Sequence, residues 1–222
     1  MRLNKWIAAH SLHSRRKADE LIASGRVAVN EVTAILGTTA DDDSIVTIDG
    51  KRIGTKMNND VKVVLLLNKP IGYVCSRNGQ GAPTVYGLLP LKYHHLDIAG
   101  RLDKDSSGLV ILTNNGELMQ QLTHPSFKKE KVYNTTLDHA LSQADQASIE
   151  SGVKLEDGLS SLKLSLISAD KKQWQVTMHE GRNRQIRRTF ALLDYDVINL
   201  SRLSVSEYTL NGIEEGKYVI SK

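Results

Sequence analysis

Two apolar runs constrain the fold of this chain more than any other feature. Val61–Leu67 consists almost entirely of apolar residues, which is typical of a central strand covered on both faces. Leu109–Thr113 is a second apolar run and predicts another buried strand. Asn68-Lys69-Pro70 ends the first strand, because proline disfavours helix at the residue before it. The chain from residue 61 onward is therefore expected to contain a sheet with buried interior strands.

Strands with one exposed face are expected later in the chain. Apolar and polar residues alternate in segments 162–166 and 174–178, and this period of two predicts antiparallel strands. Further strands are predicted at Ile71–Cys75 and from Glu130 to Tyr133. Helices are predicted over residues 117–123 and, between a cap at Ser142 and Gly152, over residues 143–151.

The N-terminal segment predicts a small module of helices and short strands. Leu3, Trp6 and Ile7 recur at helical spacing. Ser14 is placed to cap a second helix that ends at Gly25. Strands are predicted at residues 26–29, 44–48 and 51–53, the last two joined by an Asp-Gly turn.

Composition bounds the class of protein. The chain has 222 residues and a net charge of +4, which suits one large domain or a small and a medium one. No run of apolar residues is long enough to cross a membrane, and the N-terminus does not resemble a signal peptide. The single Cys75 cannot form an internal disulfide. We expect a protein of the cytoplasm that needs no metal and no membrane.

Positive charge is concentrated near the N-terminus. Residues 1–30 carry a net charge of +4, whereas residues 31–60 carry −3. Arg15-Arg16-Lys17 begins the second predicted helix, where positive charge opposes the helix dipole. Phosphate binding would account for this placement, and a solvated charged face is the alternative. Candidate RNA contacts in this segment are Arg2, Lys5, Arg15, Arg16, Lys17 and Arg26.

Asp103 lies on a loop bracketed by two glycines. Gly100 and Gly108 let the backbone bend or approach a ligand closely, and the second buried strand follows directly. Loops held by rigid strands often carry catalytic groups. A surface aspartate in a turn is the alternative interpretation.

A basic stretch near residue 185 predicts a helix with two distinct faces. From Asn183 onward, Ile186, Phe190 and Leu193 fall on one apolar face. Arg184 and Arg188 are one turn apart and form a predicted basic ridge, with Arg187 beside them. Arginine suits phosphate and carboxylate partners, and an ordinary surface helix is the alternative.

These motifs, in this order, resemble the RsuA-type bacterial ribosomal RNA pseudouridine synthases. The resemblance rests on Leu67–Pro70, Gly100–Asp103, Ser107–Leu109, Leu112–Asn114, Glu130–Tyr133 and Gly181–Arg188. The N-terminal segment resembles the RNA-binding module shared by a small-subunit ribosomal protein and bacterial tyrosyl-tRNA synthetases. Three residues depart from the usual patterns: Glu31 replaces a turn glycine, Asn115 an aspartate and Thr189 a methionine.

The resemblance implies an α/β (α+β) fold. We expect a mixed, mainly antiparallel sheet with flanking helices, the pseudouridine synthase fold, over residues 61–222. A small α/β RNA-binding module is expected over residues 1–52, joined by a linker over residues 53–60.

The resemblance also implies a reaction and its residues. A pseudouridine synthase isomerises a uridine without a cofactor or metal, through an aspartate that matches Asp103. Arg187 is expected to pair with that aspartate, and Tyr133 to stack on the base and assist proton removal. Ile186 would pack against the base, and Arg101 would hold or replace the flipped nucleotide. Weaker or peripheral RNA contacts are expected at Lys69, the loop from Arg77, Arg182, Arg184 and Arg188.

Two other functions fit parts of the sequence. A non-catalytic RNA-binding factor for ribosome assembly would need the basic helices but not Asp103, Tyr133, Ile186 and Arg187 together. A glycosidase could use Asp103 and Asp105, but no second carboxylate is obviously placed for acid catalysis. The expected partner is ribosomal RNA, free or within a subunit precursor, and the expected state is a monomer. The target uridine cannot be derived from these motifs.

Overall fold

The computed structural model describes residues 1–11, 13–41, 43–53, 61–79 and 81–221. The chain separates into two compact units, residues 1–61 and residues 62–222. Most of the predicted linker lies outside the described residues. Its first residue, Ile53, belongs to a strand and pairs with Val46.

The first unit combines two helices with a small antiparallel sheet. Among its described residues, the strand order is β2-β1-β3-β4. The elements are α1 (Leu3–His10), α2 (Arg15–Ala23), β1 (Val27–Val29), β2 (Val32–Thr33), β3 (Val46–Ile48) and β4 (Lys51–Ile53). Both predicted helices and the predicted hairpin at Asp49-Gly50 are confirmed.

Sequence periodicity and capping account for the two helices. Leu3, Trp6 and Ile7 lie within a single buried core that also receives residues from α2 and the sheet. The Ser14 hydroxyl accepts a hydrogen bond from the Lys17 backbone N–H, which satisfies one of the free donors of the first turn.

The β1–β2 hairpin forms although Glu31 occupies the turn position where glycine is usual. Val29 pairs with Val32, so Asn30 and Glu31 make a two-residue turn. Both have positive φ angles, 49° and 68°, as a type I′ turn requires. Asparagine tolerates this region, whereas glutamate does so at a cost.

The second unit is built on one large sheet. Its described strands follow the order β11-β12-β8-β13-β7-β5-β15, with β14 beside β13 and β6 beside β7. The strands of this sheet are β5 (Val64–Lys69), β6 (Asp97–Ala99), β7 (Ser107–Thr113), β8 (Lys131–Leu137), β11 (Lys163–Leu166), β12 (Gln173–Met178), β13 (Val197–Val205), β14 (Tyr208–Thr209) and β15 (Tyr218–Ser221). β9 (Val153–Leu155) and β10 (Gly158–Ser160) pair with each other in a separate two-stranded sheet. The helices are α3 (Gly116–Thr123), α4 (Gln143–Ser151) and α5 (Gln185–Ala191).

The sheet is mixed but mainly antiparallel, as predicted. β7 and β13 pair in parallel, whereas β5 and β7 pair antiparallel, as do β8 and β13. The two apolar runs occupy β5 and β7. Side chains of these strands alternate between two buried clusters: Leu65, Leu67, Val110 and Leu112 in one, and Leu66, Leu109 and Ile111 in the other. The prediction that the first run is covered on both faces is confirmed.

One predicted strand is absent from the described residues. Ile71–Cys75 forms turns, and only Val74 makes an isolated bridge, with Thr84. Gly72 has a positive φ of 92° and donates its N–H to the Lys104 carbonyl. The segment therefore serves as a loop beneath residues 103–105 instead of a strand.

Candidate active site

The Asp103 loop connects two neighbouring strands. It follows β6, which pairs antiparallel with β7, and it leads directly into β7. The Ser106 N–H donates to the Asp103 carbonyl at 3.2 Å. The Asp103 side chain keeps 39% of its surface exposed, so its carboxylate is available to a ligand.

Buried groups beneath the loop fix its course. The Leu102 N–H donates to Cys75 Sγ at 3.4 Å, and burial raises the pKa of that thiol. Arg202 Nη2 donates to the Gly100 carbonyl at 2.8 Å, and its Nε donates to the Leu109 carbonyl at 2.8 Å. One buried guanidinium thus ties together the two ends of the loop.

A cleft of about 640 Å³ opens beside this loop. Its lining includes four of the predicted site residues: Arg101, Asp103, Tyr133 and Ile186. Tyr133 comes from β8 and is largely buried, as is Ile186 from α5. Arg182 and Arg184 also line the cleft, whereas Arg187 and Arg188 do not.

The predicted ion pair between Arg187 and Asp103 is wrong in its partners. Arg184 is the arginine near Asp103, with 3.6 Å between Nη1 and Oδ2, and it makes a two-pronged contact with Asp105 at 3.0 and 2.8 Å. Arg187 instead donates to the carbonyls of Asp105 and Val197, and its Nε lies 3.5 Å from the Asp105 carboxylate. Arg184 and Arg188 do not form the predicted ridge along one helix, because Arg184 lies before the first residue of α5 and has a left-handed φ of 47°.

Asp105 is the carboxylate that these arginines hold most firmly. The Arg184 hydrogen bonds are the main cause of its lowered pKa, and the positive charges of Arg187 and Arg184 add to it. Asp105 raises the pKa of Arg184 in turn. The pair therefore anchors the start of α5 to the Asp103 loop with both groups charged.

A second carboxylate holds the other two arginines. Arg182 and Arg188 both bind Asp157, at 2.9 and 2.7 Å, in the turn between β9 and β10. Arg182 also contacts Glu180 at 3.2 Å. Three of the arginines predicted to contact RNA, including Arg184, thus already have carboxylate partners in this state.

Two further candidates for RNA contact are structural. Lys69 is fully buried, and its Nζ donates to the Pro70 carbonyl at 2.9 Å. Its prediction as a phosphate contact is wrong, because it ends β5 pointing inward, where burial lowers its pKa. Arg77 contacts Asp97 at 2.9 Å and lies over the Tyr86 ring, so it holds the loop from residue 77 instead of extending from it.

The basic residues of the first unit are exposed. Arg2, Lys5, Arg15 and Arg16 carry exposed side chains. Lys17 pairs with Glu20, and Arg26 with Asp49. Exposed pairs of this kind are weak and screened by salt, so they leave these two cations able to exchange partners.

Sequence reasoning missed three charged residues of the site. Asp105 and Asp157 organise the arginines, and Arg202 anchors the loop. No local pattern reveals Arg202, because its partners lie about a hundred positions earlier in the chain. Asp105 lies within the motif that contains Asp103, but only the folded structure shows that Arg184 binds Asp105 more closely than Asp103.

Asn115 and Thr189, the two residues of the second unit that depart from the usual motif, are accommodated by local hydrogen bonds. Asn115 caps α3 by accepting from the N–H groups of Glu117 and Leu118, a role that asparagine and aspartate share. Thr189 is buried and bonds to Ser160 Oγ and the Gln185 carbonyl. Neither residue lines the cleft.

The described part of the chain offers neither a membrane-spanning helix nor a metal-binding cluster. None of its helices is long and apolar enough to span a membrane. No cluster of three or more His, Cys, Asp or Glu side chains there is arranged to hold a metal ion.

Two family models match the chain. The model described as RNA pseudouridylate synthase matches residues 63–192, which include Asp103, Tyr133 and Ile186. The model of the S4 domain matches residues 1–34, which carry the exposed residues Arg2, Lys5, Arg15, Arg16, Lys17 and Arg26.

Similar proteins cover almost the whole chain. The Ribosomal large subunit pseudouridine synthase B of Bacillus subtilis is 35% identical over 97% of this chain and 89% of its own length. An uncharacterized RNA pseudouridine synthase of Aquifex aeolicus is 32% identical over 98% of this chain and 89% of its own. A crystal structure of a pseudouridylate synthase matches 100% of this chain and 96% of that one, with a TM-score of 0.70 and 29% identity. The chain therefore belongs to the RsuA-like family of RNA pseudouridine synthases, isomerases that act on uridines of RNA, and it carries an N-terminal S4 RNA-binding domain.

Proposed function

We propose that the protein isomerises a specific uridine of ribosomal RNA, in the large subunit, with Asp103 as its catalytic residue. The observation that carries this proposal is the shared cleft of Asp103, Tyr133 and Ile186, which joins a carboxylate, an aromatic hydroxyl and an apolar wall. The ribosomal target is supported by the printed name of the Bacillus subtilis relative.

Asp103 acts at the sugar of the target nucleotide. Breaking the N-glycosidic bond leaves positive character at the sugar carbon, which a carboxylate can capture as a nucleophile or stabilise by its charge. Either role needs an ionised and accessible group. Asp103 is partly exposed, and the Arg184 guanidinium lies 3.6 Å from its carboxylate.

Tyr133, Ile186 and Arg101 act on the base. The detached uracil turns and rejoins the sugar through carbon five, after which the proton on that carbon must leave. Tyr133 stacks on the ring and assists this proton transfer, while Ile186 closes one side of the cleft. Arg101 is exposed beside Asp103, where it can hold the flipped nucleotide or fill its vacated space.

Arg184 and Arg187 each have part of the role that the family resemblance implies for Arg187 alone, which is to hold and charge-stabilise the catalytic aspartate. Arg184 supplies the positive charge nearest to Asp103, and Arg187 positions the loop through the Asp105 carbonyl. Arg182 and Arg188 reach RNA phosphates by exchanging their partner Asp157 for a phosphate. Both ion pairs are partly exposed to solvent, so a phosphate can approach them.

The S4 domain provides sequence-independent affinity. Its exposed arginines and lysines contact phosphates, which makes binding dependent on salt. We propose that residues 1–53 form this module, that residues 54–60 link it to the catalytic domain of residues 61–222, and that the protein works as a monomer in the cytoplasm on free ribosomal RNA or a subunit precursor.

Mapping pseudouridines in ribosomal RNA tests the proposal. RNA from cells with and without the gene is compared, and purified protein is then added to the deficient RNA. One large-subunit uridine should lack the modification in the deficient cells and regain it in vitro. An unchanged map, or restoration only in small-subunit or transfer RNA, would contradict the proposed substrate.

A further inference from the structure

Of the five lysines and arginines that line the cleft, Arg182 and Arg184 have carboxylate partners, and Arg101 is exposed to solvent. Arg184 binds Asp105, and Arg182 binds Asp157 and Glu180. Lys131 and Arg202 differ, because within the described residues neither has a carboxylate oxygen within 4.0 Å, and their hydrogen bonds go only to backbone carbonyls. Cations withdrawn from water usually have a paired anion.

Lys131 stands next to the proposed base-binding tyrosine. It begins β8, two residues before Tyr133, so both side chains project from the same face of the strand, and both line the cleft. Lys131 is half-buried, and its Nζ has a single long contact, 3.4 Å to the Glu180 carbonyl. Two of its three N–H donors are therefore available to a ligand.

Arg202 adds a second charge behind the same surface. It pairs with Tyr133 across β8 and β13, lines the cleft and is almost fully buried. Burial lowers the pKa of Lys131 and repulsion by Arg202 lowers it further, while the charge of Glu180 raises it. Two cations that contact no carboxylate of the described residues thus act on one end of the cleft, and an anionic ligand there would relieve their repulsion.

We propose that Lys131, supported by the buried Arg202, stabilises the negative charge that collects on the uracil ring when its bond to the sugar breaks. This inference rests on the proposed function. It assigns Lys131 a direct contact with the base and Arg202 a positioning and electrostatic role.

The electron balance of the reaction places negative charge near Lys131. When the N1–C1′ bond breaks, Asp103 bonds to or stabilises C1′, and the bonding pair stays on uracil as an anion shared between N1, O2 and O4. The pair returns when C5 bonds to C1′, and the C5 proton then leaves to a base while N1 gains a proton. A cation stabilises this intermediate more than the neutral uracil of bound substrate, so it accelerates the chemical step.

A phosphate of the target nucleotide is the other anion that could bind Lys131, and kinetics separate the two. Lys131→Met removes the charge and keeps the length, Lys131→Arg keeps the charge, and Lys163→Met is the control, because Lys163 is an exposed strand lysine outside the cleft. Each variant is tested for thermal stability, RNA affinity at several salt concentrations, and single-turnover rate with saturating enzyme, with Lys131→Gln as a second neutral variant.

The proposal predicts that Lys131→Met slows the saturated rate by about 100-fold, the typical effect of removing one oxyanion donor, and changes the Kd for RNA by less than about threefold. Lys131→Arg should recover part of the rate, and Lys163→Met should match the wild type. RNA with 5-fluorouridine at the target cannot complete the reaction, because fluorine replaces the C5 proton that must leave, so its N-glycosidic bond cleavage is followed as loss of the intact nucleoside. That cleavage should show a smaller deficit than cleavage of uridine, because fluorine stabilises the uracil anion.

Three results would overturn the proposal. A weaker Kd with a shallower salt dependence and a normal saturated rate would identify a phosphate contact. Unchanged rate and affinity in both neutral variants would show that Lys131 has no part in the reaction. An equal deficit with uridine and 5-fluorouridine would exclude charge on the base. Wild-type protein that modifies no ribosomal uridine would instead contradict the proposed function itself.

Discussion

Asp105, not Asp103, is the residue that organises the charges of the site. Arg184 grips Asp105 with both prongs and only approaches Asp103, so the proposed catalytic carboxylate stays free of a tight partner. A carboxylate locked in a two-pronged pair would have to break it before attacking a sugar carbon. The arrangement thus gives Asp103 a nearby positive charge while leaving it available to substrate.

The two arginines should fail in different ways when each is replaced by methionine. Arg184 is 42% exposed in its side chain, so Arg184→Met should slow single turnover by about tenfold or more and cost at most about 1 kcal/mol of stability, as the loss of an exposed ion pair does. Arg187 is 14% exposed and satisfies two carbonyls, so Arg187→Met should also cost about 2–3 kcal/mol of stability. Thermal unfolding beside single-turnover kinetics checks this contrast, and equal stability losses would refute it.

Asp105 should make stability depend on acidity. Because its pKa is lower in the folded protein than in the unfolded chain, its stabilisation is fully present above the unfolded value of about 3.9. It is lost as pH falls toward the lowered folded pKa. The free energy of unfolding of wild type should therefore exceed that of Asp105→Asn at pH 6 and converge with it near pH 3. Urea titrations at both values measure the difference, and a gap that widens in acid would contradict the assignment.

At the scale of elements, local patterns predicted most helices and strands correctly. The cap at Ser142, the Asp49-Gly50 turn and the alternation in β12 each depend on neighbours within a few positions, so the sequence alone carries them. The prediction of a strand at Ile71–Cys75 is wrong, because this segment forms a loop that hydrogen-bonds to Lys104, a residue distant in the sequence. The predicted start of α5 near Asn183 is wrong, because Arg184 has a left-handed backbone conformation. Helical spacing of side chains does not reveal such a conformation.

Gly108 is required where β7 meets β13. A Cβ there would lie 2.3 Å from the Arg202 carbonyl oxygen and 2.6 Å from its nitrogen, at a φ of +103°. Gly108→Ala should therefore destabilise the protein by about 3–5 kcal/mol. Gly87→Ala is the control, because a Cβ at Gly87 meets nothing within 4 Å. Denaturant unfolding measures both, and similar stabilities of the two variants would show that the parallel pair is looser than described.

On the scale of the whole molecule, sequence reasoning recovered the two-part organisation and the family but not the pairing of charges within the site. Ordered motifs identified Asp103, Tyr133 and Ile186 as neighbours in a cleft, and the structure brings them together. The assignment of Lys69 to RNA failed because motif membership says nothing about burial. Composition likewise could not separate the arginines that face carboxylates from the free cations of the S4 domain.

The S4 domain should control affinity and not chemistry. Arg15→Gln with Arg16→Gln removes two exposed cations, so RNA binding should weaken, and the slope of log affinity against log salt should become shallower by about 1–2. The single-turnover rate at saturating enzyme should stay within about twofold of wild type. Binding titrations across salt test this, and a slower saturated rate with an unchanged slope would count against the division of labour.

Single-turnover kinetics of Asp103→Asn test the central claim most directly. The amide has nearly the same size but can neither attack nor balance positive charge at the sugar carbon. With ribosomal RNA and saturating enzyme, we expect no pseudouridine above background from the variant, whereas its Kd for RNA stays within about threefold of wild type. Pseudouridine formed by Asp103→Asn at a rate near that of the wild type would contradict the account.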